Sequence, residues 1–218
     1  VEFPAIIINF KAYESVLGES ALRLARLIEK IVHEKGVSIV PVPSVFDVAT
    51  LLSNLTLPVM VQHVDPVEPG AQTGSVPPAA AAAIGASGTL LNHAERRLPA
   101  DILKKTVEMC RQVGLFTLVC AESLDRIQEV SSYAPDAIAY EPPELIGGAV
   151  SVSSAQPDII RAAVALSGKI PLLVGAGVKT GEDVRVARSL GAQGVLLASG
   201  VVLSPDPEKV LYNLAEGL

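Results

Sequence analysis

The stretch Ala5–Ser15, AIIINFKAYES, decides the fold. It opens as a short, uniformly apolar run and then breaks into Asn9-Phe10-Lys11 without a glycine. A GxGxxG turn at this point would favour an open, doubly wound sheet that binds a dinucleotide. NFKAYES stands there instead, which favours a closed barrel. Seven further runs of the same kind follow: Val37–Val42, Val59–Gln62, Gly88–Asn92, Phe116–Cys120, Ala137–Tyr140, Pro171–Val174 and Gly194–Leu197. Each is almost wholly apolar rather than alternating, the pattern of parallel strands covered on both faces.

Between the runs lie segments with a helical period. Leu24, Ile28, Ile31 and Val32 share one face of the first. Val45, Val48, Ala49 and Leu52 suggest a second, Ile102, Leu103, Val107 and Cys110 another, and Leu124, Ile127 and Val130 a shorter one. PPAAAAAIG is weakly patterned, while Asp206-Pro207 reads as an N-cap followed by Pro at the first helical position. Eight strand–helix alternations without a linker predict an α/β chain forming a single (β/α)8 barrel domain over residues 1–218. At about 27 residues per unit it is a compact one.

Half the residues are hydrophobic and only 4% aromatic, so small aliphatic side chains build the core. A formal net charge of −6 with no basic cluster argues against nucleic acid or an anionic membrane as partner. A small anionic substrate stays compatible, because backbone N–H groups can hold a phosphate without net positive charge. Cys110 and Cys120 read as reduced thiols. With no run long enough to span a bilayer and no signal pattern at VEFPAIIINF, a cytoplasmic protein is expected.

Barrel enzymes of this class react at the C-terminal ends of their strands. Here those ends carry Asn9-Phe10-Lys11, Gln62-His63-Val64-Asp65, Asn92-His93-Ala94-Glu95 and Tyr140-Glu141-Pro142. Singly, Lys11 could be a solvated cation, His93 a satisfied buried imidazole and Glu141 a loop carboxylate. Their common rim points to a functional site. The seventh and eighth runs lead into Gly175-Ala176-Gly177 and Ala198-Ser199-Gly200, turns whose small residues let backbone N–H groups approach a phosphate. EPPELIGGAVSV (141–152), with its stiff start, apolar Leu145-Ile146 and Gly147-Gly148, suits a lid or else a rigid surface loop. His33, His63 and His93 lack ligand spacing and no GxSxG is present, so neither a metal nor a serine nucleophile is expected, and no cofactor.

NFK, QHVDP, LLNHAERR, AYEPPELIG, GAGVKTGEDV and GVLLASGV, in that order, resemble the triosephosphate isomerase family in its short archaeal form. The resemblance implies interconversion of dihydroxyacetone phosphate and D-glyceraldehyde 3-phosphate through an enediol, a step of glycolysis and gluconeogenesis. It implies Glu141 as base, His93 as electrophile and Lys11 as charge stabiliser, with Asn9 orienting the site and Glu95 supporting it. Backbone groups at Ile146, Gly147, Gly177, Ala198, Ser199 and Gly200 would hold the phosphate. It also implies a homo-oligomer, a tetramer with a dimer as the alternative. Three departures from the family pattern stand out: Ala94 where Ser is usual, Gln72 where the archaeal form often has His, and Gly148-Ala149 in place of Thr-Gly. Another sugar-phosphate barrel isomerase or lyase, or a phosphate-binding barrel without catalysis, are the competing readings.

Overall fold

A computed structural model describes residues 1–142 and 156–218. Its strands are β1 (Ala5–Asn9), β2 (Ser38–Val42), β3 (Met60–Val61), β4 (Gly88–Leu91), β5 (Phe116–Ala121), β6 (Ala137–Tyr140), β7 (Leu172–Val174) and β8 (Gly194–Leu197). All recorded pairings are parallel, in the order β2-β1-β8-β7-β6-β5-β4-β3. The ladder thus runs around a nearly closed (β/α)8 barrel, as the sequence predicts. At the β2–β3 seam a side chain takes part in the closure: the Gln62 carboxamide donates to Val42 O at 3.2 Å.

The helices on the outside are α1 (Glu19–Lys35), α2 (Val45–Asn54), α3 (Pro78–Ala83), α4 (Ala100–Gln112), α5 (Leu124–Ser131), α6 (Pro157–Ser167), α7 (Gly181–Ser189), a four-residue α8 (Ser199–Val202) and α9 (Pro207–Ala215). Their starts follow local chemistry. Ser123 accepts the Arg126 N–H, Thr180 and Asp183 form a capping box, and Asp206 accepts the Lys209 N–H ahead of Pro207. α1 stops at Gly36, whose left-handed φ of 65° returns its N–H to Val32 O.

Two apolar cores follow from the two-residue period of the strands. Ile6, Ile8, Ile39, Val61, Leu91, Val119, Ile138, Val174 and Val195 point outward and pack with the helices. Ala5, Ile7, Val40, Met60, Leu90, Leu118, Cys120, Ala139, Leu173 and Leu196 fill the barrel. The inward alternation, continued one step towards the C-terminal rim, arrives at Asn9, Gln62, Asn92, Glu141 and Gly175. The parity that fills the core therefore also brings Asn9, Gln62 and Glu141 to the mouth.

Several boundaries differ from the sequence reading. β3 is only two residues long, and just past its end the Gln62 side chain bonds across the seam. β4 stops at Leu91 because Asn92 turns left-handed, and β5 gains Ala121. β7 omits Pro171, which has no N–H for the ladder but still offers its carbonyl to Ile138 N. In α2 the expected face is rotated: Val45 and Ala49 are exposed, while Asp47, Val48 and Leu51 are buried. Asp47 is drawn inward because its carboxylate accepts the Gly18 N–H at 3.1 Å.

Candidate active site

At the end of β1 the chain turns sharply. Lys11 adopts φ 54°, a left-handed conformation that costs a side-chain-bearing residue about 1–2 kcal/mol. Asn9 compensates by accepting the Lys11 N–H at 2.9 Å, and Gln62 Nε2 donates to Lys11 O at 2.8 Å. The side chain, 15% exposed, then reaches Glu95 with Nζ 2.7 Å from Oε1. Glu95 itself is well exposed, so its charge is screened and the pair holds geometry more than stability.

His93 follows β4 and is buried. Its Nδ1 accepts the Glu95 N–H at 3.2 Å. A ring nitrogen that accepts cannot carry the proton, so the imidazole is neutral in this arrangement, with its N–H on Nε2. That nitrogen faces Glu141, 3.8 Å from Oε2, too far for a hydrogen bond. Glu141 leaves β6 with its backbone N–H on Ala121 O at 2.9 Å. Its carboxyl is buried, and Oε2 has no hydrogen-bond partner among the described residues. A carboxylate oxygen that is desolvated yet untied is chemically exposed in the sense that matters for proton abstraction. Behind it lies Cys120, whose thiol is pushed well above its ordinary pKa by burial, and further by the charge of Glu141 and a hydrogen bond to it. Gly175 forms the adjoining wall, where an added Cβ would stand 2.3 Å from Glu141 Cγ.

The opposite side of the cleft is lined by Ala176–Lys179 and Ala198–Gly200. Ala176 and Gly177 both take left-handed conformations, at φ 71° and 72°. Ser199 and Gly200 open α8, so their N–H groups carry no intrahelical bond. Asn9, Lys11, His93, Glu141, Gly177, Ala198, Ser199 and Gly200 all line one cleft. Glu95 lies just outside it, in the neighbouring cavity with Gln62, His63 and Arg96. Ile146 and Gly147, and with them the expected lid tip and the Gly148-Ala149 departure, fall outside the described residues.

The rim also contains residues that the sequence reading left without a role. Tyr13, Val178 and Lys179 line the cleft. Gln62 and Asn92 brace its strand ends. An amide has no charge signature, so only its place at a strand end could have singled it out. The turn Gly175-Ala176-Gly177, read as one phosphate-gripping unit, divides in space: Gly175 abuts the carboxylate and Gly177 lines the cleft. Beside the cleft His63 lies 3.1 Å from Asp65. Burial, followed by the Arg96 charge, holds the His63 imidazole below its ordinary pKa despite that partner.

A buried carboxylate, a neutral imidazole and an ammonium on the mouth of a parallel barrel, opposite an open backbone rim, define a barrel enzyme equipped for proton transfer on a small anion. Comparison with known proteins narrows the class. The sequence profile described as triosephosphate isomerase matches residues 4–214. Curated triosephosphate isomerases from three archaea align along nearly their whole length. The Saccharolobus solfataricus protein is 44% identical over 96% of this chain and 94% of its own. The Methanopyrus kandleri protein is 42% identical over 99% and 98%, and that of Methanobrevibacter smithii 37% over 99% of each. The chain belongs to the triosephosphate isomerase family. Its activity is that of an aldose–ketose isomerase acting on triose phosphate.

Proposed function

We propose that Glu141 is the base that carries the proton between the two carbons of the triose phosphate, with His93 and Lys11 stabilising the charge that develops on oxygen. The observation that supports it most directly is the buried Glu141 Oε2, without a hydrogen-bond partner among the described residues and turned towards His93 Nε2. A proton next to a carbonyl is removed only when the resulting enediolate is stabilised where its charge appears. The Nε2–H of His93 is the donor available to polarise the carbonyl oxygen, and it can pass protons between the two oxygens of the enediol. Lys11, fixed by Asn9 and Glu95, adds positive charge beside it. Glu141 takes the proton from the hydroxyl-bearing carbon as its C–H bond breaks and returns it to the former carbonyl carbon, while the new carbonyl forms on the carbon that gave the proton up, so the step needs no redox partner.

The phosphate lies, on this reading, against the backbone of Gly177 and Ala198–Gly200, with Ile146 and Gly147 completing the grip. Binding energy gained there, away from the reacting carbons, can be used to close the site. Residues 1–218 act as one barrel domain in this account. We also propose a homo-oligomer, a tetramer or a dimer. Phe46 supports it, being 89% exposed at the rim next to the exposed Val45. Sedimentation of the purified protein tests that part, and a monomer at micromolar concentration would remove it. A cytoplasmic location is in keeping with the two free cysteines, both buried.

Glu141→Gln tests the central role. The substitution keeps shape and removes basicity, so kcat falls by roughly 10³-fold while the circular dichroism spectrum and Tm stay close to those of the parent. Turnover within about tenfold of the parent would refute the assignment.

A further inference from the structure

Between the strands that carry His93 and Glu141 runs β5, and its last two carbonyls are both engaged. Ala121 O, on one side, accepts the Glu141 N–H at 2.9 Å. Cys120 O, on the other, accepts the carboxamide of Asn92 at 2.9 Å. The same carboxamide uses its oxygen to accept the Leu98 N–H, also at 2.9 Å. Asn92 therefore spans the turn 93–97 at its base and pins it to the strand end from which the Glu141 backbone also hangs.

The backbone explains why a side chain does this work. The β4–β5 ladder ends at Leu91↔Val119. At Asn92 the chain swings to φ 57°. With the regular ladder ended there, the Asn92 side chain supplies a donor to Cys120 O. Asn is among the few residues that accept a left-handed φ at little cost while offering both a donor and an acceptor. The residue is 1% exposed, so neither bond competes with water.

We propose that Asn92 is a positioning residue for the isomerisation, fixing the His93 imidazole relative to the Glu141 carboxylate through its two bonds to Leu98 and Cys120. This rests on the roles proposed above for His93 and Glu141. The two are separable, because failure of Glu141→Gln to lower turnover strikes those roles, whereas the variants below leave Glu141 untouched.

Two substitutions divide the backbone contribution from the brace. Asn92→Gly keeps the left-handed turn and removes both bonds. Asn92→Asp tolerates the turn and keeps the acceptor for Leu98, but faces Cys120 O with an oxygen instead of a donor. Misplacement of a catalytic group by a fraction of an ångström lowers the chemical step, so kcat in Asn92→Gly falls by roughly 10- to 100-fold. The phosphate contacts lie across the cleft, so KM stays within about twofold. Asn92→Asp loses at least as much kcat wherever it folds, and Asn92→Gly decides the matter if it does not. Amide hydrogen exchange gives a second readout: Leu98 loses protection in Asn92→Gly, while amides of the distant strand β1 keep theirs. A folded Asn92→Gly with parental kcat, or one whose loss falls entirely on KM, overturns the proposal.

Discussion

At the ends of β1, β4 and β6 the cleft is lined by Lys11, His93 and Glu141, whereas at the ends of β7 and β8 it is lined mostly by small residues, Ala176-Gly177 and Ala198–Gly200, with Val178 and Lys179 beside them. The first half achieves precision by bracing. Lys11 and Asn92 are held left-handed, and Asn9, Gln62 and the Asn92 carboxamide bond to the strand ends around them. The second half achieves it by omission, with small residues that leave N–H groups accessible. Substitutions should therefore fail differently in the two halves: losses on the first fall on kcat, and added bulk on the second falls on KM.

Gly175 is the sharpest probe, since it belongs to the second half in sequence and to the first in space. A methyl there would stand 2.3 Å from Glu141 Cγ and 2.7 Å from Oε1. Gly175→Ala should displace the carboxylate and lower kcat by roughly 100-fold with little change in KM. Steady-state kinetics that place the loss in KM would return Gly175 to the side proposed to hold phosphate. Gly200→Ala is the counterpart. Its added Cβ would meet Val178 O at 3.3 Å, a contact that a few tenths of an ångström relieves. KM for triose phosphate should rise by about three- to tenfold with kcat nearly unchanged. A collapse of kcat instead would break the division between the halves.

The smallest effect is expected beside the cleft, in pH dependence. His63 is half-buried next to Arg96, and desolvation and the Arg96 charge both depress its affinity for a proton in the folded state relative to the ordinary value of 6.5. The unfolded chain therefore binds that proton more readily. The stability contributed by neutral His63 is present above pH 6.5 and declines as the pH falls towards the folded value. His63→Gln should narrow the difference in Tm between pH 7 and pH 5 by roughly 2 °C or less. A widened difference would mean that Asp65, not burial, governs the imidazole.

What could be read from sequence differs between the halves for the same reason. The eight apolar runs predict the barrel because parallel strands covered on both faces must be apolar throughout, and Asn9, Lys11, His93 and Glu141 announce themselves as polar residues that end such runs. Gly175 and Gly177 look alike in sequence and share the inward parity of β7, and only the left-handed turn at Ala176 and Gly177 separates them. Asn92 and Gln62 were visible as strand-end residues but had no signature of the bracing they perform. The rotated face of α2 was hidden by Asp47, a carboxylate buried through a bond to Gly18, from a different element. Local periodicity carries no information about such a partner. α8 leaves no sequence signature, because four residues are too few to show any period.

The most direct test of the account is isomerisation in deuterium oxide. If Glu141 carries the proton through an enediol, the carboxyl exchanges with solvent during the lifetime of the intermediate. The product then acquires deuterium at the carbon that receives the proton, and Glu141→Gln abolishes that uptake together with turnover. Product formed by the parent enzyme at full rate, carrying at that carbon only hydrogen moved from the neighbouring carbon and no deuterium, would contradict it.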